Sequence, residues 1–160
     1  MEKRVFFIVI LVCALLQVSI LDRFSLLGIK PDLLLACALL GAMLFQGGWA
    51  FTFSVSCGIC KDAFSSGVPA MNTIAFVLWC YFILKLRRQI TLDNNLIRAL
   101  VILILAAIHN IASGLIYIYS GGFLPLGIFL RIVILGPLYT AAVLPLLFRG
   151  IRPFYPELSR

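Results

Sequence analysis

The chain has 160 residues, of which 63% are hydrophobic and only 12% are charged, and its mean hydropathy is +1.14. A soluble domain has about 45–50% apolar and about 25% charged residues, so a soluble surface built from this composition would expose large apolar patches. The composition excludes a soluble enzyme, a nucleic-acid-binding domain and a disordered chain, and lipid is the expected surrounding.

Six apolar runs follow one another along the chain, and each is long enough to form a helix. Because the runs are continuous and do not alternate with polar residues, we expect helices and not the strands of a barrel. The predicted fold class is an all-α integral membrane protein, a compact bundle of about six transmembrane helices in one domain, with spans at residues 5–21, 31–45, 49–64, 71–84, 96–119 and 126–148.

Turn residues separate these runs. Pro31 suits the first position of the second helix, and Asp32 beside it suits the positive end of the helix dipole. Gln46-Gly47-Gly48 predicts a tight turn, and Gly121-Gly122 ends the fifth run. The third run is the least apolar, so whether it crosses fully is left open.

The net charge of +7 predicts an orientation, because cytoplasmic loops of membrane proteins are enriched in Lys and Arg. With the N-terminus inside, three basic residues (23, 30 and 61) lie outside and Arg131 lies within the sixth run. The cytoplasmic side then carries nine, including a cluster of Lys85, Arg87 and Arg88 that could also contact anionic lipid or a filament. We therefore expect both termini in the cytoplasm; the basic residues on that side are 3, 4, 85, 87, 88, 98, 149, 152 and 160.

The third run carries a row of small residues that ends in an acid. Ala50, Ser54, Gly58 and Asp62 recur every fourth residue, so they share one helix face, where small side chains allow a neighbouring helix to approach closely. We call these four residues the small-residue row. Asp62 closes its helix, where the dipole disfavours a negative charge, so it needs a partner. That partner could be a loop amide, the Ser65 hydroxyl or a basic group on another helix.

Other polar residues in the runs have simple structural explanations beside functional ones. Asp32 is explained by capping, and Arg131 either reaches the interface or pairs with Asp32 or Asp62. Ala106, Asn110 and Gly114 form a second row that predicts helix packing with an interhelical hydrogen bond. His109 has no acidic neighbour in its run, which makes it a poor proton relay.

Signatures of catalysis or metal binding are weak. Cys57-x-x-Cys60 is a single pair, and buried thiols explain it better than a metal or redox site. An intramembrane aspartyl peptidase would need two carboxylates that share a proton, and Asp32 and Asp62 lie on the same predicted side. However, one opens a helix and the other closes one. We expect no catalytic residue, no metal and no cofactor.

The motifs together resemble the bacterial rod shape-determining protein MreD family. Pro31-Asp32 is similar to the family's second-helix start, and the stretch from Gly58 through Asp62 to Ser65 is similar to its Gly-x-x-x-Asp-x-x-Ser helix end. The resemblance covers about residues 1–90, and the last two helices agree in hydropathy only. The sequence departs from the family at Ser54, where glycine is frequent, and at Lys61, where an apolar residue is usual.

This resemblance implies a non-enzymatic scaffold of the cell-elongation machinery in the bacterial inner membrane. The implied partners are membrane lipid, a single-span MreC-like protein, the RodA glycosyltransferase with its transpeptidase, and an MreB-like filament below the membrane. The family also looks similar in fold to the substrate-binding subunits of energy-coupling-factor transporters, which implies vitamin-type small-molecule binding as the alternative. Our hypothesis for the small-residue row and Asp62 is an outward-facing groove or helix interface that receives the MreC-like helix or another helix, so that Gly58→Leu would abolish co-purification.

Overall fold

A computed structural model of the protein describes residues 2–19, 28–65, 68–89 and 94–151, which form six α-helices with no β-strand among them. The predicted all-α chain of six helices is confirmed. The end of the first predicted span (residues 20 and 21), Arg23, Gly67, Arg152 and Arg160 lie outside the described residues. The helices are α1 (Glu2–Ser19), α2 (Leu33–Leu44), α3 (Gly48–Phe64), α4 (Met71–Leu86), α5 (Asn95–Tyr119) and α6 (Leu126–Ile151).

Helix α2 begins later than its sequence suggests. Asp32 is the N-cap, and its carboxylate accepts a hydrogen bond from the backbone N–H of Leu35 at 3.0 Å. Pro31 therefore precedes the helix, and its predicted place at the first helical position is wrong. Asp32 has a non-helical backbone conformation, with φ −92° and ψ 86°, which is the geometry of an N-cap whose side chain accepts from the first turn.

The end of α5 follows from its glycines. Gly121 has a φ of +90°, a left-handed conformation that glycine adopts without steric cost. The N–H of Gly122 donates to the carbonyl of Tyr117 at 3.0 Å, and that of Gly121 donates to Ile118 at 3.1 Å. These two bonds form a Schellman motif and satisfy the last carbonyls of the helix, so Gly121-Gly122 ends α5 as predicted.

Helix α2 is the centre of the structure. It contacts each of the five other helices, and every residue from Leu33 to Met43 is buried. A helix that is apolar on all sides has to be surrounded on all sides. At its C-terminal end, Phe45 packs against Phe6 of α1 and Phe53 of α3, with ring centroids 5.1 and 4.5 Å apart. The core is thus a single helix enclosed by neighbours.

Helices α3 and α4 approach each other at Gly58. A Cβ atom placed on Gly58 would lie 2.4 Å from the backbone Cα of Thr73, a distance that no real side chain tolerates. Ala50 and Ser54 on the same face are completely buried. Small residues allow the two backbones to come this close, which is how helices pack where water provides no driving force.

Helices α5 and α6 pack against each other at Asn110 and Gly114. The side-chain amide of Asn110 donates to the carbonyl of Ile132 at 3.0 Å, across the two helices. Gly114 leaves room for Phe129, whose ring would be 2.6 Å from a Cβ atom at that glycine. The predicted packing at Asn110 and Gly114 with an interhelical hydrogen bond is confirmed, and Ala106 of the same row is buried.

The consecutive helices α1 to α4 run in alternating directions, so helix starts and helix ends meet at two polar ends of the bundle. Asp32 at the start of α2 meets Lys61 near the end of α3, and we call this the Asp32 end. At the opposite end, Arg87 after α4 reaches the carbonyl of Phe45 after α2, and we call this the Arg87 end.

The outer surface of the bundle is apolar. Large hydrophobic side chains are exposed on α1, α3, α4, α5 and α6, on faces turned away from α2. Among the residues that the structure describes, two helices are long and apolar enough to cross a membrane, namely Leu96–Tyr119 and Leu126–Pro145. Three shorter helical stretches are also apolar: Arg4–Ser19, Leu33–Leu44 and Met71–Leu86.

Replacing Gly58 with alanine should destabilise the protein by about 1–3 kcal/mol, because the new Cβ would push the α4 backbone away. The matched control is Gly48→Ala in the same helix, where an added Cβ meets nothing within 4 Å. Thermal unfolding in a mild detergent should show a lower midpoint for Gly58→Ala only. Equal midpoints for the two variants would contradict the close approach of α3 and α4.

Candidate functional site

The carboxylate of Asp62 closes α3 and at the same time caps α4. One oxygen accepts from the backbone N–H of Asn72 at 3.0 Å and from its side-chain amide at 2.8 Å. The other accepts from the backbone N–H of Thr73 at 2.9 Å and from its hydroxyl at 2.6 Å. A negative charge at a helix N-terminus is favourable and satisfies donors that the helix leaves free. Asp62 is therefore held by α4.

Asp32 connects three helices at the same end of the bundle. Besides capping α2, it donates its backbone N–H to the Thr140 hydroxyl of α6 at 3.0 Å. Its carboxylate forms an ion pair with Lys61 of α3, and the two side chains are only 15% and 19% exposed. A pair this sheltered from water is screened little, so removing one partner leaves a costly unpaired charge.

Lys61 extends this pair into the bundle. Its Nζ lies 3.2 Å from Nε2 of His109 and 5.3 Å from the centre of the Phe76 ring. His109 is 2% exposed, and on its other side the indole N–H of Trp79 donates to Nδ1 at 3.4 Å. Asp32, Lys61, His109 and Trp79 form one polar chain across α2, α3, α5 and α4, which we call the buried network.

The number of hydrogen bonds that His109 can accept determines its protonation state in the buried network. Lys61 and Trp79 are both donors, and a neutral imidazole has a single acceptor nitrogen. A protonated imidazole would have none and would place a second positive charge beside Lys61. His109 is therefore neutral and fully accepts from one neighbour at a time, with Lys61 the closer of the two.

A cavity of about 280 Å³ lies beside the buried network at the Asp32 end. Its walls come from α1, α5, α6 and the segment that leads into α2. The polar groups on these walls are Gln17, Lys30, Asp32, Asn110 and Thr140. This volume is slightly below the range of about 300–1,000 Å³ typical of small-molecule sites, and polar groups converge on it.

A second and larger cleft, of about 630 Å³, lies at the Arg87 end. The guanidinium of Arg87 donates through Nη1 to the carbonyls of Ala42 and Phe45, at 3.3 and 2.9 Å. These are carbonyls at the C-terminal end of α2, where a positive charge is favourable. Lys85 and Arg88 on the same wall are exposed.

The small-residue row is not a free groove. Gly58 faces the Thr73 backbone and Asp62 caps α4, so the neighbouring helix that this row predicted is α4 of the same chain. Of the two occupants that the hypothesis allowed, the row therefore holds another helix of the same chain, and a partner's helix would need a different face. Gly58→Leu would disturb the internal packing before it affected any partner.

Two other predicted residues, Ser65 and Arg131, lie on the surface. Ser65 is exposed at the C-terminal cap of α3, and its backbone N–H donates to the Asp62 carbonyl at 3.2 Å. Arg131 is exposed in α6. Within the described residues Arg131 pairs with neither acid, since Asp32 is held by Lys61 and Asp62 by α4.

The participation of Lys61, His109 and Trp79 in one network was not predicted. A signal was present, since Lys61 interrupts an apolar helix and needs a counter-charge, and Asp32 is one of two acids on the same predicted side. No sequence spacing joins Lys61 to His109 on α5. Lys61 and His109 meet because α3 and α5 both pack against α2.

The cysteines belong to the packing. Cys57 is buried in α3, and the thiol of Cys37 lies 3.5 Å from that of Cys13, which joins α2 to α1. Across the described ranges, no three His, Cys, Asp or Glu side chains are grouped to hold a metal ion.

Comparison with protein-family models, curated proteins and solved structures found no match to this chain.

Lys61→Met should destabilise the protein by about 3–5 kcal/mol, because it leaves the Asp32 carboxylate unpaired away from water. Adding Asp32→Asn should recover part of this loss, since the neutral amide still accepts from Leu35. Unfolding of the two single variants and the double variant in detergent would measure the coupling. Strict additivity of the two changes would contradict the ion pair.

Proposed function

We propose that this protein is a multi-pass membrane scaffold of the MreD type, without enzymatic activity, whose six helices span the bacterial inner membrane. The observation that carries the proposal is the apolar surface that five helices turn away from a completely buried α2. A soluble protein does not expose such a surface, and lipid or an apolar partner covers it without cost. The polar ends of the bundle would then lie at the two faces of the bilayer.

The charges support an orientation with the Arg87 end in the cytoplasm. At this end, exposed basic residues lie at the start of α1 and at the ends of α4 and α6. At the Asp32 end, the charge of Lys61 is balanced by Asp32. This difference in charge agrees with the enrichment of Lys and Arg on the cytoplasmic side of membrane proteins and supports the proposal that both termini are cytoplasmic. The exposed basic residues toward the Arg87 end are Arg4, Lys85, Arg88 and Arg149, whereas Lys30 and Arg131 are exposed toward the Asp32 end.

The residues that resemble the MreD family have structural roles in this bundle. Asp32 begins α2, Gly58 admits α4 and Asp62 caps it. Because Asp32, Gly58 and Asp62 cap and pack helices, their resemblance to the MreD motif supports a shared helix arrangement. It does not mark the surface on which partners bind.

The arrangement of the acids favours a scaffold over a peptidase. An aspartyl peptidase needs two carboxylates close enough to share one proton. Asp32 is instead paired with Lys61, and Asp62 is held by four donors of Asn72 and Thr73. No hydrogen bond joins the two acids in the part of the chain that the structure describes.

A scaffold of this type would bind an MreC-like single-span protein in the membrane and connect it to RodA, its transpeptidase and an MreB-like filament. Because α4 occupies the small-residue row, the partner's helix would have to lie on the outward apolar faces. Binding there buries apolar surface already compatible with lipid, so packing and not exclusion of water would determine the affinity.

Photo-crosslinking at one exposed position on each outer helix should find the partner. In cells that co-express the MreC-like protein, we expect crosslinks from one helix or two adjacent helices and none from buried Leu39 of α2. The absence of crosslinks at every position, with the protein inserted, would contradict the scaffold. The positions are Leu11, Ile59, Leu78, Ile104 and Ile134, each at least 47% exposed.

The cavity at the Asp32 end favours a second function, namely a substrate-binding subunit for a vitamin-type small molecule. In the proposed orientation this cavity opens on the outer side of the membrane. Its polar walls would orient a ligand, and its volume of about 280 Å³ would restrict the ligand to a small one.

Filling the cavity separates this second function from the scaffold. Ile132 lines the cavity, whereas Ile134 on the same helix is 56% exposed. If the protein binds a small molecule, mass spectrometry of denatured samples should detect it with the unchanged protein and Ile134→Phe but not with Ile132→Phe. A scaffold should release no such molecule from any of the three.

A further inference from the structure

The cleft at the Arg87 end combines a basic rim with apolar walls. It lies between the turn that joins α2 to α3 and the end of α4, and its volume is about 630 Å³. Lys85, Arg87 and Arg88 supply the positive charge, Phe51 and Leu84 supply apolar surface, and none of the residues that line it is acidic.

Helix geometry explains how α4 forms one wall. Tyr81, Leu84 and Lys85 follow the three- and four-residue spacing that places side chains on one helix face, and Arg88 lines the same cleft from the turn after the helix. Tyr81 and Leu84 come first, and Lys85 and Arg88 follow toward the end of the helix. The wall therefore changes from apolar to basic along the helix axis, in the direction from the bundle interior to its end.

Arg87 is held in place at the inner side of this rim. Its two hydrogen bonds to the carbonyls of Ala42 and Phe45 use a single nitrogen, Nη1. A guanidinium has five N–H donors, so donors remain for an anion. Its position is fixed before any ligand arrives, which lowers the entropy lost on binding.

We propose that this cleft binds the headgroup of an anionic phospholipid, with the phosphate near Lys85, Arg87 and Arg88. The exposed Leu78 and Phe82 on α4 would contact the acyl chains. Charge complementarity favours an anion, and the apolar wall, continuous with the exposed outer face of α4, favours a lipid over a free ion. Basic pockets beside membrane helices on the cytoplasmic side bind anionic headgroups by this chemistry. The proposal rests on the membrane orientation given above but not on the scaffold role.

The test is a titration of the full chain in a maltoside detergent with dioleoylphosphatidylglycerol or dioleoylphosphatidylcholine, with native mass spectrometry to count bound lipid. We expect preference for the glycerol lipid in the unchanged protein. The variant Lys85→Gln/Arg88→Gln should bind it roughly 30-fold more weakly, roughly fivefold for each lost charge. Arg87 is retained because it also holds the end of α2.

Arg149→Gln is the matched control, since Arg149 is exposed in the last turn of α6 and does not line the cleft. It should keep the full affinity. The proposal would be overturned if the two lipids bound equally well or if Arg149→Gln lost as much affinity as the double variant. It would also be overturned if the double variant kept its affinity, and the cleft would then be left for an acidic protein segment. Displacement of the lipid by equimolar inorganic phosphate would also overturn it, because the site would then recognise a free anion.

A separate measurement keeps this result distinct from the proposed function. Cysteine accessibility in intact cells reports whether the Arg87 end lies in the cytoplasm. A correct orientation without lipid preference would reject the lipid site alone, whereas an inverted orientation would reject the membrane topology as well.

Discussion

The structure depends on one constraint: the ends of the buried central helix α2 must be satisfied by side chains from other helices. Within an apolar bundle, water is not available for the free N–H and C=O groups that every helix leaves at its ends. At the start of α2, the N–H of Leu34 donates to Gln17 of α1 at 3.1 Å, and the N–H of Asp32 donates to Thr140 of α6. At its other end, Arg87 of α4 binds two carbonyls.

The same constraint explains where the scarce polar residues of this chain are used. Asp62 of α3 satisfies the start of α4, and Lys61 beside it neutralises the acid that starts α2. These contacts join helices that are already packed through apolar surface, so they determine which helix ends meet. After they are made, few polar groups remain for chemistry. The two clefts at the ends of the bundle are the places where the proposed ligand or lipid would fit.

Much of the fold could be predicted from sequence, and the candidate site only in part. Continuous apolar runs and the glycine and proline residues between them predict six helices, because the length of an apolar run and its turn residues are local properties. Asp32 as a cap and the Asn110 row as a packing surface follow from local patterns in the same way. The partner of the small-residue row could not be predicted, since a row of small residues favours any close helix and does not distinguish α4 from another protein.

The sequence by itself determined the class of structure, the approximate ends of the helices and the concentration of positive charge at one end. Those properties depend on residues close together in the chain. Only the tertiary structure decided that Lys61 pairs with Asp32 and contacts His109, that Asp62 binds α4, and that Arg87 holds the end of α2. Each of these contacts joins residues on different helices, and the order in which helices surround α2 follows from packing of the whole bundle.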